Sequence, residues 1–182
     1  MKNTINVINA IYVLLYCASS VFAQSSNDVT PICSSEEAPY RDFDFVLGSW
    51  DFYTSDSVKI GKQVYTKREQ GCLILEEWEL DSGDTGIGMS FVDPATGNWR
   101  QVWMSPTYHI DYSGGIDEQG AMILEGTAYP NNGEKSFPIR GIWAKQSDGS
   151  IKQEFFFLDE GSNTWQILFA GFTRLSDSSS DG

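Results

Sequence analysis

The sequence predicts an all-β protein, a single antiparallel up-and-down barrel of about ten strands. Three observations carry that reading. From Ser49 onward the chain breaks into short runs rich in Val, Ile, Thr and aromatic residues, with turn formers roughly every 8–12 positions. The links between runs are too short for a helical crossover, so neighbouring strands must be antiparallel. No window carries a helical period of useful length. A two-sheet sandwich is the alternative, because periodicity does not separate it from a barrel.

Taken in order, the chain opens with Lys2, an apolar run from Ile5 to Tyr16, and Ala18 to Ser20 before Val21-Phe22-Ala23. This is the layout of a secretory signal peptide cut after Ala23. The apolar run is about twelve residues, short of the ~20 that a bilayer crossing needs, so residues 1–23 are expected to be removed and no membrane span is expected. Cys17 follows Tyr16 rather than the small residue of a lipoprotein, which argues against lipidation. Residues 24–40 are polar, Ser-rich and broken by Pro31 and Pro39, and read as a linker. Residues 41–175 form the barrel domain, a length sufficient for one core. The Ser/Asp/Gly tail, 176–182, is too polar to pack and is expected to be disordered.

The export signal places the protein in a secreted or periplasmic setting. Two cysteines survive the cut, Cys33 and Cys72, and in an oxidising compartment such a pair most often forms a disulfide. Two buried thiols are the alternative. A pair is too few for a four-ligand structural zinc site, and no metal is expected. The formal charge of −13 argues against nucleic acid and against anionic membrane surfaces. Nothing in the sequence sets an oligomeric state.

The expected strands are Ser49–Ser57, Lys62–Gln70, Cys72–Asp81, Gly86–Val92, Trp99–Ser105, Tyr108–Ile116, Ala121–Tyr129, Ser136–Lys145, Ile151–Leu158 and Trp165–Leu175. Asp93-Pro-Ala-Thr-Gly97 is a hairpin loop, with proline at a turn corner and glycine where φ must be positive. Ile74, Glu76, Trp78 and Leu80 share one strand face; Leu73, Leu75, Glu77 and Glu79 share the other. Trp99, Gln101 and Trp103 share a face, as do Met122, Leu124, Gly126 and Ala128. The last strand is apolar on both faces, Ile167 and Phe169 opposite Leu168, Ala170 and Phe172, which suits closure against the first strand.

Ahead of the strands stands an aromatic plug, Asp42-Phe-Asp-Phe-Val-Leu-Gly-Ser-Trp-Asp-Phe52. Its Gly48-x-Trp50 element, with Arg174 near the end of the final strand, resembles the lipocalin and fatty-acid-binding (calycin) superfamily. The resemblance implies that Trp50 closes one end of the barrel against Arg174, leaving the other end for ligand entry. More closely, the chain resembles an uncharacterised family of bacterial exported proteins. That likeness is carried by Phe43-Asp-Phe-Val-Leu-Gly-Ser-Trp50, Gly71-Cys-Leu-Ile-Leu-Glu-Glu-Trp78, Asp93-Pro-Ala-Thr-Gly-Asn-Trp-Arg-Gln-Val-Trp103 and Phe169-Ala-Gly-Phe-Thr-Arg174. It runs from about Cys33 to Leu175 and implies a fold, not an activity. Haem-binding barrels of similar strand number take an iron-ligating histidine from the C-terminal strands. Ile167–Thr173 has none, so haem is not expected, a tyrosine ligand being the one route left open, and no other cofactor is indicated.

The aromatic set is the best functional lead. If the faces bearing Glu76 with Trp78 and Gln101 with Trp103 point inward, they line an apolar chamber with a few orienting polar groups, joined by Tyr112 and Arg140. The expected partner is then a small apolar or amphipathic molecule. The alternative is that the aromatics simply fill the core and Glu76 and Gln101 are exposed, since parity says which residues share a face but not which face is inside. An enzyme, an isomerase or hydrolase with Glu76 or His109 as base, is one alternative. A protein-interaction barrel with a filled core is another. No catalytic constellation stands out. Asp84-Thr-Gly86 lacks the apolar lead-in and second copy of an aspartic protease and reads as a turn. His109 and Asp111 share a face without a nucleophile motif nearby. Glu77 and Glu79 read as solvated surface.

Overall fold

The computed structural model describes residues 32–176. The expected signal peptide (1–23, with Cys17), the first part of the linker (24–31) and the tail from 177 onward lie outside the described residues. Ten strands close into one antiparallel barrel: β1 (Gly48–Thr54), β2 (Lys59–Arg68), β3 (Leu73–Leu80), β4 (Thr85–Val92), β5 (Trp99–Met104), β6 (Tyr108–Ile116), β7 (Met122–Pro130), β8 (Phe137–Lys145), β9 (Ile151–Asp159) and β10 (Thr164–Leu175). Each pairs with its sequence neighbours, and β10 returns to β1 with Trp50 opposite Leu175 and Thr54 opposite Gly171. The ladder is continuous, so the sandwich alternative fails and no edge strand is left.

Every expected strand is present, and most bounds shift by one to three residues. The first hairpin differs most. Thr54 donates its N–H to the Val58 carbonyl (2.9 Å), and Ser57 takes a positive φ of 64°, so the turn occupies residues expected to be strand.

Side-chain parity decides what the barrel contains. Ile74 and Glu76 of β3, Trp99, Gln101 and Trp103 of β5, and Met122 and Leu124 of β7 are all buried inside. Glu77 and Glu79 are exposed on the outer wall, as expected. The last strand departs from expectation. Ile167 and Leu168 are 57% and 52% exposed, so β10 is not buried on both faces. Closure comes from its backbone ladder instead. A bulge sets Ile167 opposite Phe156 and Phe169 opposite Phe155, with Leu168 unpaired between them. The extra residue inverts parity, which turns Phe169 inward against Phe52 (ring centroids 5.4 Å apart) while Ile167 faces out.

The plug shuts the end where β1 begins and β10 ends. Phe43 and Val46 are fully buried. The Phe43 ring meets Trp99 and Trp143 edge-on at 5.6 and 5.5 Å. Trp50 donates its indole N–H to the Val46 carbonyl (2.7 Å), and Trp99 donates to the Pro39 carbonyl (2.9 Å). Lys67 of β2 holds Asp44 at 2.8 Å. Gly48 turns from plug to strand at φ +130°, a conformation closed to other residues. Cys33 is bonded to Cys72, joining the arm to the start of β3.

One expectation about this end is overturned. Trp50 does not meet Arg174. Register sets Arg174 opposite Asp51, one position from Trp50, and adjacent strand residues face opposite ways. Arg174 is therefore outside, its guanidinium 4.6 Å from the Phe172 ring centroid and 5.2 Å from Tyr53. Trp50 closes the barrel with the plug's own backbone.

Candidate functional site

Beyond the plug the barrel is hollow. A chamber of about 700 Å³ runs from Glu76, Tyr112 and Trp143 at depth to the open end, where Leu80, Pro106, Pro130, Asn132 and Leu168 form part of the rim. It is reached from the end opposite the plug, the end that the plug's position leaves for entry. A filled interior, the premise of the interaction-barrel alternative, is not what forms.

The buried carboxylate of the chamber is Glu76, in the middle of β3 and 3% exposed. Its Oε1 accepts from the Tyr65 hydroxyl (2.8 Å) and Gln63 Nε2 (3.4 Å); its Oε2 accepts from Gln101 Nε2 (3.4 Å). Gln101 also donates to Ser90 Oγ (2.7 Å) and accepts from the Tyr112 hydroxyl. Gln63 and Gln153 exchange amide bonds across the barrel at 3.2 and 2.7 Å. β4 leaves space for the carboxylate, since a Cβ on Gly88 would lie 2.6 Å from Glu76 Oε2. Burial pushes the Glu76 carboxyl up to about 7, opposed only partly by the Tyr65 hydrogen bond. Burial also holds the Tyr65 and Tyr112 hydroxyls well above their usual value, with the neighbouring Glu76 charge adding to it.

Aromatic rings make the wall. Trp78 meets Trp103 edge-on at 5.5 Å, Tyr112 stacks on Trp143 at 6.1 Å, and Phe155 meets Trp143 edge-on at 5.4 Å. β4 and β8 accommodate the indoles with glycine: a Cβ at Gly86 would sit 2.1 Å from Trp103, and one at Gly141 2.8 Å from Trp143. The indole N–H groups of Trp78, Trp103 and Trp143 are buried without an acceptor. Tyr65 and Tyr108 hydroxyls lie near Trp143 and Trp103 respectively, but not in hydrogen-bonding geometry.

Of the six expected ligand-binding residues, the structure gathers five on the inner wall: Glu76, Trp78, Gln101, Trp103 and Tyr112. Arg140 is the exception. It pairs with Glu125 across the β7–β8 ladder, its side chain 2.6 Å from the carboxylate and its guanidinium 4.3 Å from the Trp165 ring centroid. Its neighbours Ile139 and Gly141 are the inward ones, so Arg140 belongs to the outer wall. His109 also faces out, stacked on Tyr129 at 4.8 Å, and Asp111 beside it is taken by Arg100 at 2.6 Å. That leaves Glu76 alone among the proposed bases inside. Gln63, Tyr65, Ser90, Trp143 and Gln153 were missed by sequence reading. Their signal was parity with recognised inward residues, as Gln63 and Tyr65 alternate with outward Lys62 and Val64.

A second hollow of about 700 Å³ lies on the outer wall of β2 to β5, between Lys62, Glu77, Glu79, Ile87 and Met104. Its side chains are mixed in charge and lack the convergent hydrogen bonding of the interior. Among the described residues no cluster of three or more His, Cys, Asp or Glu side chains could hold a metal ion, and no helix is long and apolar enough to cross a membrane. No protein-family model matches the chain, and no curated protein matches it.

Proposed function

We propose that this protein is an exported, calycin-like carrier or sensor that binds a small apolar or amphipathic molecule inside its barrel. The observation that carries the reading is the chamber itself: about 700 Å³, shut at one end, open at the other, and lined by aromatic rings around one buried carboxylate. Ligand sites take this form, mostly apolar with a few converging polar groups. Export is supported by residues 1–23 and by the Cys33–Cys72 bond, which persists in oxidising compartments.

Tryptophan fluorescence tests the reading, because Trp78, Trp103 and Trp143 line the chamber. Titration with ten-carbon amphiphiles (1-decanol, decylamine and decanoate) is expected to give a saturable change with at least one of them. No response to any would overturn it.

A second reading rests on Glu76. A buried carboxyl brought to about 7 is matched to proton transfer at neutral pH, so an isomerase or hydrolase could use Glu76 as general base. Its test is solvent deuterium exchange at the α-carbon of a hydrophobic ketone such as 2-decanone. Catalysis lost in Glu76→Gln would support it; exchange no faster than in buffer would end it.

A further inference from the structure

The charges facing the chamber are one-sided. Among the described residues its lining includes the carboxylates of Glu76, Asp84 and Glu134, and no lysine, arginine or histidine. An anionic guest would meet only like charge, in a space where desolvation strengthens the repulsion. Glu76 itself is met only by neutral donors, Tyr65, Gln63 and Gln101. Among the described residues every ion pair lies elsewhere, and none includes Glu76. Buried carboxylates are ordinarily paired with a cation or neutralised by a proton. The barrel supplies neither a lysine nor an arginine there, yet Gly88 keeps open the space that the carboxylate occupies. Around it stand the rings of Trp78, Trp103, Tyr112 and Trp143, and aromatic π-systems attract organic cations.

We propose that the chamber takes an organic ammonium ion, a protonated amine on an apolar body, with Glu76 as its counter-ion. The proposal rests on reading the chamber as a ligand site and narrows that reading to one chemical class. The acidic rim, Asp84 and Glu134, draws cations toward the open end; the aromatic wall holds the hydrocarbon body; Glu76 fixes the charged end at depth. Carboxylate amphiphiles such as fatty acids are the disfavoured class.

The matched series decylammonium, 1-decanol and decanoate, titrated against the whole protein at pH 8, separates charge from shape. Decylammonium is expected to bind at least tenfold more tightly than 1-decanol, with decanoate weakest. Glu76→Gln is expected to collapse the amine-to-alcohol ratio to within about twofold. A second measurement needs no variant. The titratable groups facing Glu76 are Tyr65 of β2 and Tyr108 and Tyr112 of β6. Lining the rim are Asp84 between β3 and β4 and Glu134 between β7 and β8. An alkylammonium keeps its proton throughout, near the lysine value of about 10.4. Ionisation of Glu76 around 7 should therefore raise decylammonium affinity between pH 6 and 8 and leave 1-decanol affinity flat. A 1-decanol affinity equal to that of decylammonium, or a preference for decanoate, would overturn this inference while leaving the binding reading intact. Silence from all three probes would overturn both.

Discussion

The two ends of the barrel use the same residue type in opposite ways. At the closed end, Trp50 and Trp99 each give their indole N–H to a backbone carbonyl, Val46 and Pro39. Inside the chamber Trp78, Trp103 and Trp143 bury the same group without an acceptor. A buried polar hydrogen left unpaired costs roughly 1–3 kcal/mol, whereas a made bond contributes about 1 kcal/mol. The indoles of the closed end are thus resolved as structure, although Asp44 Oδ1 of the plug is itself buried without a partner. The chamber leaves its indole donors without a well-aligned protein acceptor beside a buried carboxylate, the pattern expected where residues serve a guest rather than the fold.

The largest test of that contrast is removal of the plug's anchor. Trp50→Ala deletes a ring 4% exposed and should lower unfolding free energy by roughly 3–5 kcal/mol in denaturant titration. Cutting the Cys33–Cys72 bond by serine substitution should cost about 2–4 kcal/mol, since it closes a long loop containing the plug, β1 and β2. The chamber's signature runs with pH instead. The Glu76 carboxyl titrates near 4.5 when the chain is unfolded and near 7 when folded. Between those values the folded protein holds a proton that the unfolded chain has released. Stability should therefore fall as pH rises from about 4.5 to about 7, by a total of about 3 kcal/mol, and level off above. Glu76→Gln should remove most of that slope, leaving the smaller contribution of Asp42 and Asp44, which burial also raises; a wild-type curve without it would mean that Glu76 is solvated.

Smaller effects sharpen the comparison. Gly86→Ala drives a Cβ to 2.1 Å from the Trp103 ring and should cost about 1–3 kcal/mol while displacing that indole from the chamber wall. Trp99→Phe and Trp103→Phe remove similar ring volume, but only the first breaks a hydrogen bond. Trp99→Phe should be the more destabilising by about 1 kcal/mol, read as the difference in denaturant midpoint at equal slope.

What the sequence revealed and concealed divides along physical lines. Strand existence was legible because turn chemistry punctuates the chain, Gly97 adopting its positive φ of 74° in the expected Asp93–Gly97 loop. Face-sharing was legible within each strand, so Glu76 with Trp78 and Gln101 with Trp103 came together correctly. Which face turns inward was not, since alternation has no sign until strands are paired. Arg140 shows this: the sequence reading groups it with the chamber, yet Ile139 and Gly141 hold the inward positions. Arg174 shows a related limit, because a one-residue register difference moved it from Trp50's side of the wall to the other. The bulge at Leu168 is a third, for an inserted residue inverts parity without marking the composition. Strand number was legible, but the chamber's volume was not, because it also depends on how far the plug reaches and on which side chains turn inward.

The contrast between the two ends can be read directly from the indole N–H resonances of the ¹⁵N-labelled protein during a decylammonium titration. The account predicts that the Trp78, Trp103 and Trp143 signals shift together and saturably, while Trp50 and Trp99 hold their positions. Shifts confined to Trp50 and Trp99, or to Trp165 on the outer wall, would contradict it.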